Sequence, residues 1–232
     1  MVESEEEEED NINSKRFKII FIGEPGVGKD LIIDRLAPNP FNEESIGVDF
    51  RSIILKYKKQ NLKFQIWDSA GQEKYKGLIP SYIRNSSIIF IVYDISSKNT
   101  FNNIPKWINF VKSIEKTKIV LCGNITDLER REVEKIEAEN FAKKEGISFF
   151  EICAESNENL KLMFYTCIAD LPIFDDIPNK DSLIKELLEE NENIQNSKND
   201  SKNKISINNK IYINDKEKKD NKNKEKKDRC LK

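Results

Sequence analysis

No histidine occurs among the 232 residues. That absence excludes histidine acid–base catalysis, a histidine-ligated metalloprotease centre and any Ser-His-Asp or Cys-His arrangement. Cysteine is sparse: Cys122, Cys153, Cys167 and Cys230 are the whole supply, and their spacing fits no zinc site. Scattered thiols in a chain of this length imply a reducing compartment, so a cytoplasmic setting is expected. Cys122, Cys153 and Cys167 lie within apolar segments and read as small core residues. No apolar run reaches the ~18 residues that a membrane-spanning helix needs, and the acidic start of the chain is unlike a secretory signal.

Charge is plentiful but unevenly placed. Net charge is −2, yet residues 1–10 carry seven acids and no base, whereas residues 216–232 carry nine bases and four acids. The acidic run reads as a solvated tail over residues 1–14, because like charges repel and nothing apolar is there to bury. Beyond residue 174 Asn, Lys, Asp, Glu and Ser dominate. Residues 175–232 therefore read as a flexible tail, interrupted by one short amphipathic stretch over 181–190 with Leu183, Ile184, Leu187 and Leu188 on one side. The acids among the terminal lysines argue against a phosphate-tracking stripe, and no nucleic-acid partner is expected.

Between the tails, short β-rich runs alternate with longer amphipathic stretches. Strands are expected over 17–22, 48–57, 62–67, 88–93, 118–122 and 148–152, the second and third forming an antiparallel hairpin. Helices are expected over 28–36, 134–144 and 159–168, and around Ile104, Trp107, Ile108 and Val111. This alternation predicts an α/β fold, a mostly parallel six-stranded sheet with helices on both faces, over residues 15–174. Ligands of such sheets bind at the carboxyl ends of the strands.

The motifs fall at those ends. Gly23-Glu24-Pro25-Gly26-Val27-Gly28-Lys29 follows the first strand; its glycines let amides turn inward at a helix N-terminus, and Lys29 adds a point charge for β- and γ-phosphates. A glycine-rich turn alone has plain structural causes. Here Asp68-Ser69-Ala70-Gly71-Gln72 follows the third strand, Asn124-Ile125-Thr126-Asp127 the fifth, and Cys153-Ala154-Glu155 the sixth, and a chelated nucleoside triphosphate explains all four together.

With Ser45-Ile46-Gly47-Val48-Asp49-Phe50 and the run Trp67–Tyr75, residues 16–172 resemble a small GTPase of the Ras superfamily, specifically its Rab branch. The run Leu78–Arg84 is similar to the Rabs of Golgi trafficking. The resemblance implies a molecular switch in vesicle traffic that binds GTP or GDP with Mg²⁺, together with an exchange factor, an activating protein, effectors and an escort protein or dissociation inhibitor. It implies that Gly23 to Lys29, Asp30 and Leu31 hold the phosphates and that Asp30, Ser45 and Asp68 surround the metal. The Gly71 amide would meet the γ-phosphate, and Gln72 would orient the attacking water. Asn124 would brace the loops, Asp127 would accept from the guanine edge, and Cys153, Ala154 and Glu155 would line the base. Phe50, Trp67 and Tyr82 match the aromatic triad shown to effectors, the alternative being plain core packing. Cys230 is a candidate for lipidation and peripheral attachment to endomembranes such as the Golgi. It is third from the end, so the ordinary prenylation box is absent, and an incidental cysteine is the other reading.

Four departures from the family pattern stand out. Asp30 replaces the hydroxyl residue that binds Mg²⁺. It either grips the metal as a hard ligand or weakens binding, since like charges 4 Å apart at an effective dielectric of about 20 repel by about 4 kcal/mol. Ile125 replaces a lysine whose stem lies against the base, a modest loss on the order of 1 kcal/mol, and Glu155 replaces a second lysine. The stretch from Asp30 to Ser45 is shorter than the family's first switch and contains Pro38 and Pro40, with Phe41 as the nearest aromatic. Pro25 removes one amide from the loop. Slow hydrolysis is the expectation, and a pseudo-GTPase scaffold with weak or no nucleotide binding is the alternative. An adenine-specific P-loop ATPase conflicts with Asn124, Asp127 and Ala154.

Overall fold

The computed structural model describes residues 14–37, 50–57, 60–68, 79–127 and 129–189. The chain divides into two compact units, Met1–Pro178 and Asn179–Lys232. The first holds six strands, β1 (Ser14–Gly23), β2 (Phe50–Tyr57), β3 (Gln60–Asp68), β4 (Ile88–Asp94), β5 (Lys118–Asn124) and β6 (Ser148–Ile152). They form one sheet in the order β2-β3-β1-β4-β5-β6. Only the β2–β3 pairing is antiparallel. The helices are α1 (Lys29–Leu36), α2 (Ile79–Ile83), α3 (Lys98–Asn102), α4 (Ile104–Ile114), α5 (Lys135–Glu145) and α6 (Leu160–Ala169), followed by a 3₁₀ turn over Pro172–Phe174. The expected mostly parallel α/β sheet is the observed one.

The inner strands read as continuous apolar runs because both their faces are covered. Ile19, Phe21, Ile22, Ile88, Phe90 and Ile91 have no exposed surface. Phe21 of β1 and Phe90 of β4 stack at 4.7 Å across the strand pair. In α4, Ile104, Ile108 and Val111 recur at helical spacing and are the residues buried against the sheet. Proline near its N-terminus suits the first turn, where an amide would lack a partner anyway. Helix α5 ends at Gly146 in the left-handed conformation (φ 69°), a usual glycine stop. The short helix α3 had no counterpart in the sequence reading; one turn is too brief to show a period.

Arg51 of β2 reaches the end of α1, donating from Nη1 to the Ala37 carbonyl at 2.9 Å and pairing with Asp34. The two ends of the segment 38–49 are thereby tied together by one side chain. In the second unit, the described residues form a helix over 180–189, where the leucine spacing had suggested one, and Leu183 and Leu187 are its buried positions.

Cys122, Cys153 and Cys167 are free thiols and all buried, as expected of core residues. Burial pushes the Cys122 thiol far above its ordinary range, and lifts that of Cys167 to about 12. Both therefore stay protonated, and the thiolate is the reactive form. At about pH 8 the native protein should leave all three unmodified by iodoacetamide, and urea should open them together. Peptide mass mapping checks this, and native labelling at any of the three would contradict the buried placement.

Candidate functional site

Among the described residues, loops follow the carboxyl ends of β1, β5 and β6, and the phosphate loop is the most constrained of them. Gly23 ends β1 at φ 148°, and a Cβ there would sit 2.2 Å from the Val92 carbonyl oxygen of β4. Only glycine permits that approach. Gly28, at φ 84°, opens α1, and a Cβ on it would lie 2.5 Å from Asn124 Nδ2. Lys29 is 4% exposed. Its ammonium donates to the carbonyls of Gly23 (3.2 Å) and Glu24 (2.9 Å), which hold the charge over the loop. Pro25 and Gly26 are exposed at the rim, and Val27 is buried beneath it. Asp30 and Leu31 follow on the exposed side of α1.

Asn124, 2% exposed at the end of β5, spends its amide in both directions. Nδ2 donates to the Val27 carbonyl at 3.0 Å, and Oδ1 accepts from the Ala154 amide at 3.2 Å. One side chain thus fastens the phosphate loop to the loop after β6. That second loop is closed on itself. The Cys153 amide donates to the Glu158 carbonyl at 3.1 Å, and the Asn159 side chain donates to the Glu151 carbonyl at 3.2 Å. Cys153 and Ala154 are buried, while Glu155 is exposed.

Asp127 stands exposed on the loop after β5, where its Oδ1 accepts from the Glu129 amide at 2.9 Å in an Asx turn. Ile125 is half-buried, packs against the core and donates its amide to the Ile152 carbonyl at 2.8 Å. An apolar residue is at home there, whatever it does for a base. Asp68 is the last residue of β3, level with Phe21 of β1. Ser45, Gly71, Gln72 and Cys230 lie outside the described residues, as do Pro38, Pro40 and Phe41.

Two supports of this region went unassigned in the sequence. Arg131 makes a bidentate pair with Glu151 (2.9 and 2.7 Å) and donates to the Val133 carbonyl, clamping the loop after β5 to β6. The hydrogen bonds that Arg131 donates to Glu151 hold the Arg131 pKa above its ordinary value. Asp94 Oδ1 accepts from Thr126 Oγ1 at 2.6 Å and from Ser96, fixing the start of the same loop. Both partners are distant in sequence, so only the sheet order could have paired them.

Phe50, Trp67 and Tyr82 do come together. Phe50 stacks on Trp67 with ring centroids 5.3 Å apart, and Trp67 meets Tyr82 at 5.7 Å. All three are half-buried, so they present a surface as well as a packing contact. Lys18 of β1 lies 4.7 Å over the Trp67 ring and donates to the carbonyls of Ser81 and Arg84. Burial lowers its pKa.

A model of the Ras family matches residues 18–173. The chain belongs to the Ras family. It is by that membership a small GTPase, of a family that binds guanine nucleotides with Mg²⁺, hydrolyses GTP and works through exchange factors, activating proteins and effectors. The loop fits a nucleotide's phosphates: a buried lysine, three glycines at positive φ and a helix N-terminus occur together within Gly23–Lys29. No group of three or more His, Cys, Asp or Glu able to hold a metal occurs among the described residues. The carboxylates of Asp30 and Asp68 are hard oxygen donors of the kind Mg²⁺ takes, and would hold it beside phosphate oxygens. When bound, it would neutralise phosphate charge.

Replacing Gly28 with alanine should break the Asn124–Val27 bond, since both the backbone angle and the space forbid a Cβ. A loss of about 2 kcal/mol is expected from one strained residue and one orphaned buried donor. Urea unfolding measures it, and an unchanged midpoint would show that Asn124 yields freely.

Proposed function

We propose that this small GTPase is of Rab type and switches between GDP- and GTP-bound states in vesicle traffic, with slow hydrolysis. The observation that carries the reading is the Asn124 bridge, which fastens the loop bearing Lys29 to the loop bearing Ala154. A protein with no nucleotide to hold gains little from joining a phosphate seat to a base seat. Within this reading, residues 15–174 are the GTPase domain, and the segments 1–14 and 175–232 are tails. Lys29 and the loop amides take the phosphates, and Asp127 accepts from the guanine edge. The Ala154 amide, expected to read the guanine carbonyl, instead donates to Asn124 Oδ1, so Ala154 lines the base without that bond. Gly71 and Gln72 serve the γ-phosphate and the attacking water.

The Rab assignment draws support from the stacked Phe50, Trp67 and Tyr82, which make a half-buried aromatic surface. Effectors would dock there. Cys230 with the basic end of the chain would supply the membrane contact, a prenyl chain and positive charge adding as two weak signals on an endomembrane. The protein as purified should release stoichiometric GDP on denaturation, read by mass spectrometry. A folded protein that releases no nucleotide would instead be a scaffold of the same fold.

Slow hydrolysis and weak binding follow from one acid too many. Asp30 is the second residue of α1, directly after Lys29, and is exposed. Its charge opposes phosphate more than Mg²⁺ offsets it. Asp30→Ser should therefore tighten GDP binding about tenfold, the equivalent of about 1.4 kcal/mol, by calorimetry with Mg²⁺ present. Weaker binding by the variant would make Asp30 a working metal ligand.

A further inference from the structure

Glu24 puts a second carboxylate into the phosphate loop, and its position is set from outside the loop. Its backbone carbonyl accepts from Lys29 Nζ at 2.9 Å. Its side chain goes elsewhere: Oε1 accepts from the indole Nε1–H of Trp107 at 3.2 Å. The two residues are 83 apart in sequence. Trp107 belongs to α4, where the ring is half-buried, packs against the core and meets Phe110 edge-on. A tryptophan wedged in this way has few rotamers, so its N–H is a fixed donor. A glutamate has three rotatable bonds, and without that donor its carboxylate could reach the Lys29 ammonium or the space beside it.

The electrostatics of the loop make this matter. Lys29 is flanked in sequence by two acids, Glu24 and Asp30, and no other cationic side chain occurs between Gly23 and Asp34. A carboxylate turned toward Lys29 would compete with phosphate for the ammonium and repel the ligand's own charge. Resting on the account of the loop as a guanine-nucleotide seat, we propose that Trp107 is a positioning residue for nucleotide binding. Its indole N–H fixes the Glu24 carboxylate against α4 and so reserves Lys29 and the loop amides for phosphate. Trp107 touches no phosphate in this account; it acts through Glu24.

The test pairs a ring-preserving change with a charge-removing one. Trp107→Phe keeps the aromatic packing and deletes the donor. It should speed release of N-methylanthraniloyl-GDP about tenfold, the loss expected of one charge-assisted hydrogen bond. Glu24→Gln keeps an acceptor for the indole and should release no faster than the parent. The decisive measurement is the double variant. If the carboxylate is the harm, Trp107→Phe with Glu24→Gln should release within about twofold of Glu24→Gln alone, a rescue that lost packing would not give. A double variant as fast as Trp107→Phe overturns the proposal. So does an unchanged rate in Trp107→Phe itself.

A readout independent of nucleotide separates this idea from the functional reading beneath it. The chain has two tryptophans, so the indole N–H region of a proton–nitrogen spectrum holds two resonances. In the protein as purified, Glu24→Ala should move the Trp107 resonance and leave that of Trp67 in place. If both stay put, the contact does not exist in solution and the proposal falls, whatever the nucleotide data say. If the Trp107 resonance moves but labelled GDP never binds, the guanine-nucleotide reading fails, and with it the positioning role.

Discussion

The Asn124 amide is the joint on which the site depends. It is buried, it donates on one side and accepts on the other, and neither partner can be replaced by water without opening the core. Its position is not free to drift, because β5 lies between β4 and β6 and the strand register places Asn124 opposite Asp94 and Ile152. Other constraints follow from it. Gly28 must lack a Cβ because the Asn124 side chain occupies that space, and its φ of 84° is a second, separate reason for glycine there. Ala154 must present its amide inward, which the closed turn from Cys153 to Glu158 arranges. Two bonds of ordinary length therefore fix the separation of the phosphate loop and the loop after β6.

The changes from the family pattern are not alike in kind. Ile125 is absorbed by the fold: it packs against the core, and its amide is bonded to β6, so the substitution removes a charge without leaving a hole. Glu155 is exposed and its loop is closed by backbone and asparagine contacts that do not involve its side chain. Asp30 is different because it follows Lys29 directly, and on the proposed reading its neighbours would be the phosphates. Two acids around one lysine leave the loop near the balance point between holding and repelling an anion, and small rearrangements of either carboxylate then carry large weight. This is why the orientation of Glu24, a bland detail in a loop rich in positive charge, becomes consequential here.

Much of this was legible in the chain. Parallel strands covered on both faces show as unbroken apolar runs, so β1, β4, β5 and β6 lie within a few residues of their expected limits, and the motifs fall at their carboxyl ends. The amphipathic α4 and α5 declare themselves by period. The helix α3 did not, because five residues make a single turn and its only buried side chain is Phe101. Pairs between distant residues were the other blind spot. Arg131 with Glu151, Thr126 with Asp94 and Trp107 with Glu24 are invisible to spacing. Trp107 was read only as an apolar member of a helix stripe, and the polar edge of its ring carries its more informative contact.

The aromatic cluster and the phosphate loop share a support that links recognition to the seat. Strand β1 carries Lys18 over the Trp67 ring and, five residues on, becomes Gly23. Lys18 also holds the carbonyls of Ser81 and Arg84 around the end of α2, so Tyr82 and Trp67 are registered against the same strand that launches the loop. Arg51, one residue after Phe50, is bound to the last turn of α1, the helix that Lys29 begins. Strand β1 thus registers the aromatic stack and the start of the phosphate loop against one another, and displacing one relative to the other has to break the Lys18 contacts to the Trp67 ring and to the carbonyls of Ser81 and Arg84.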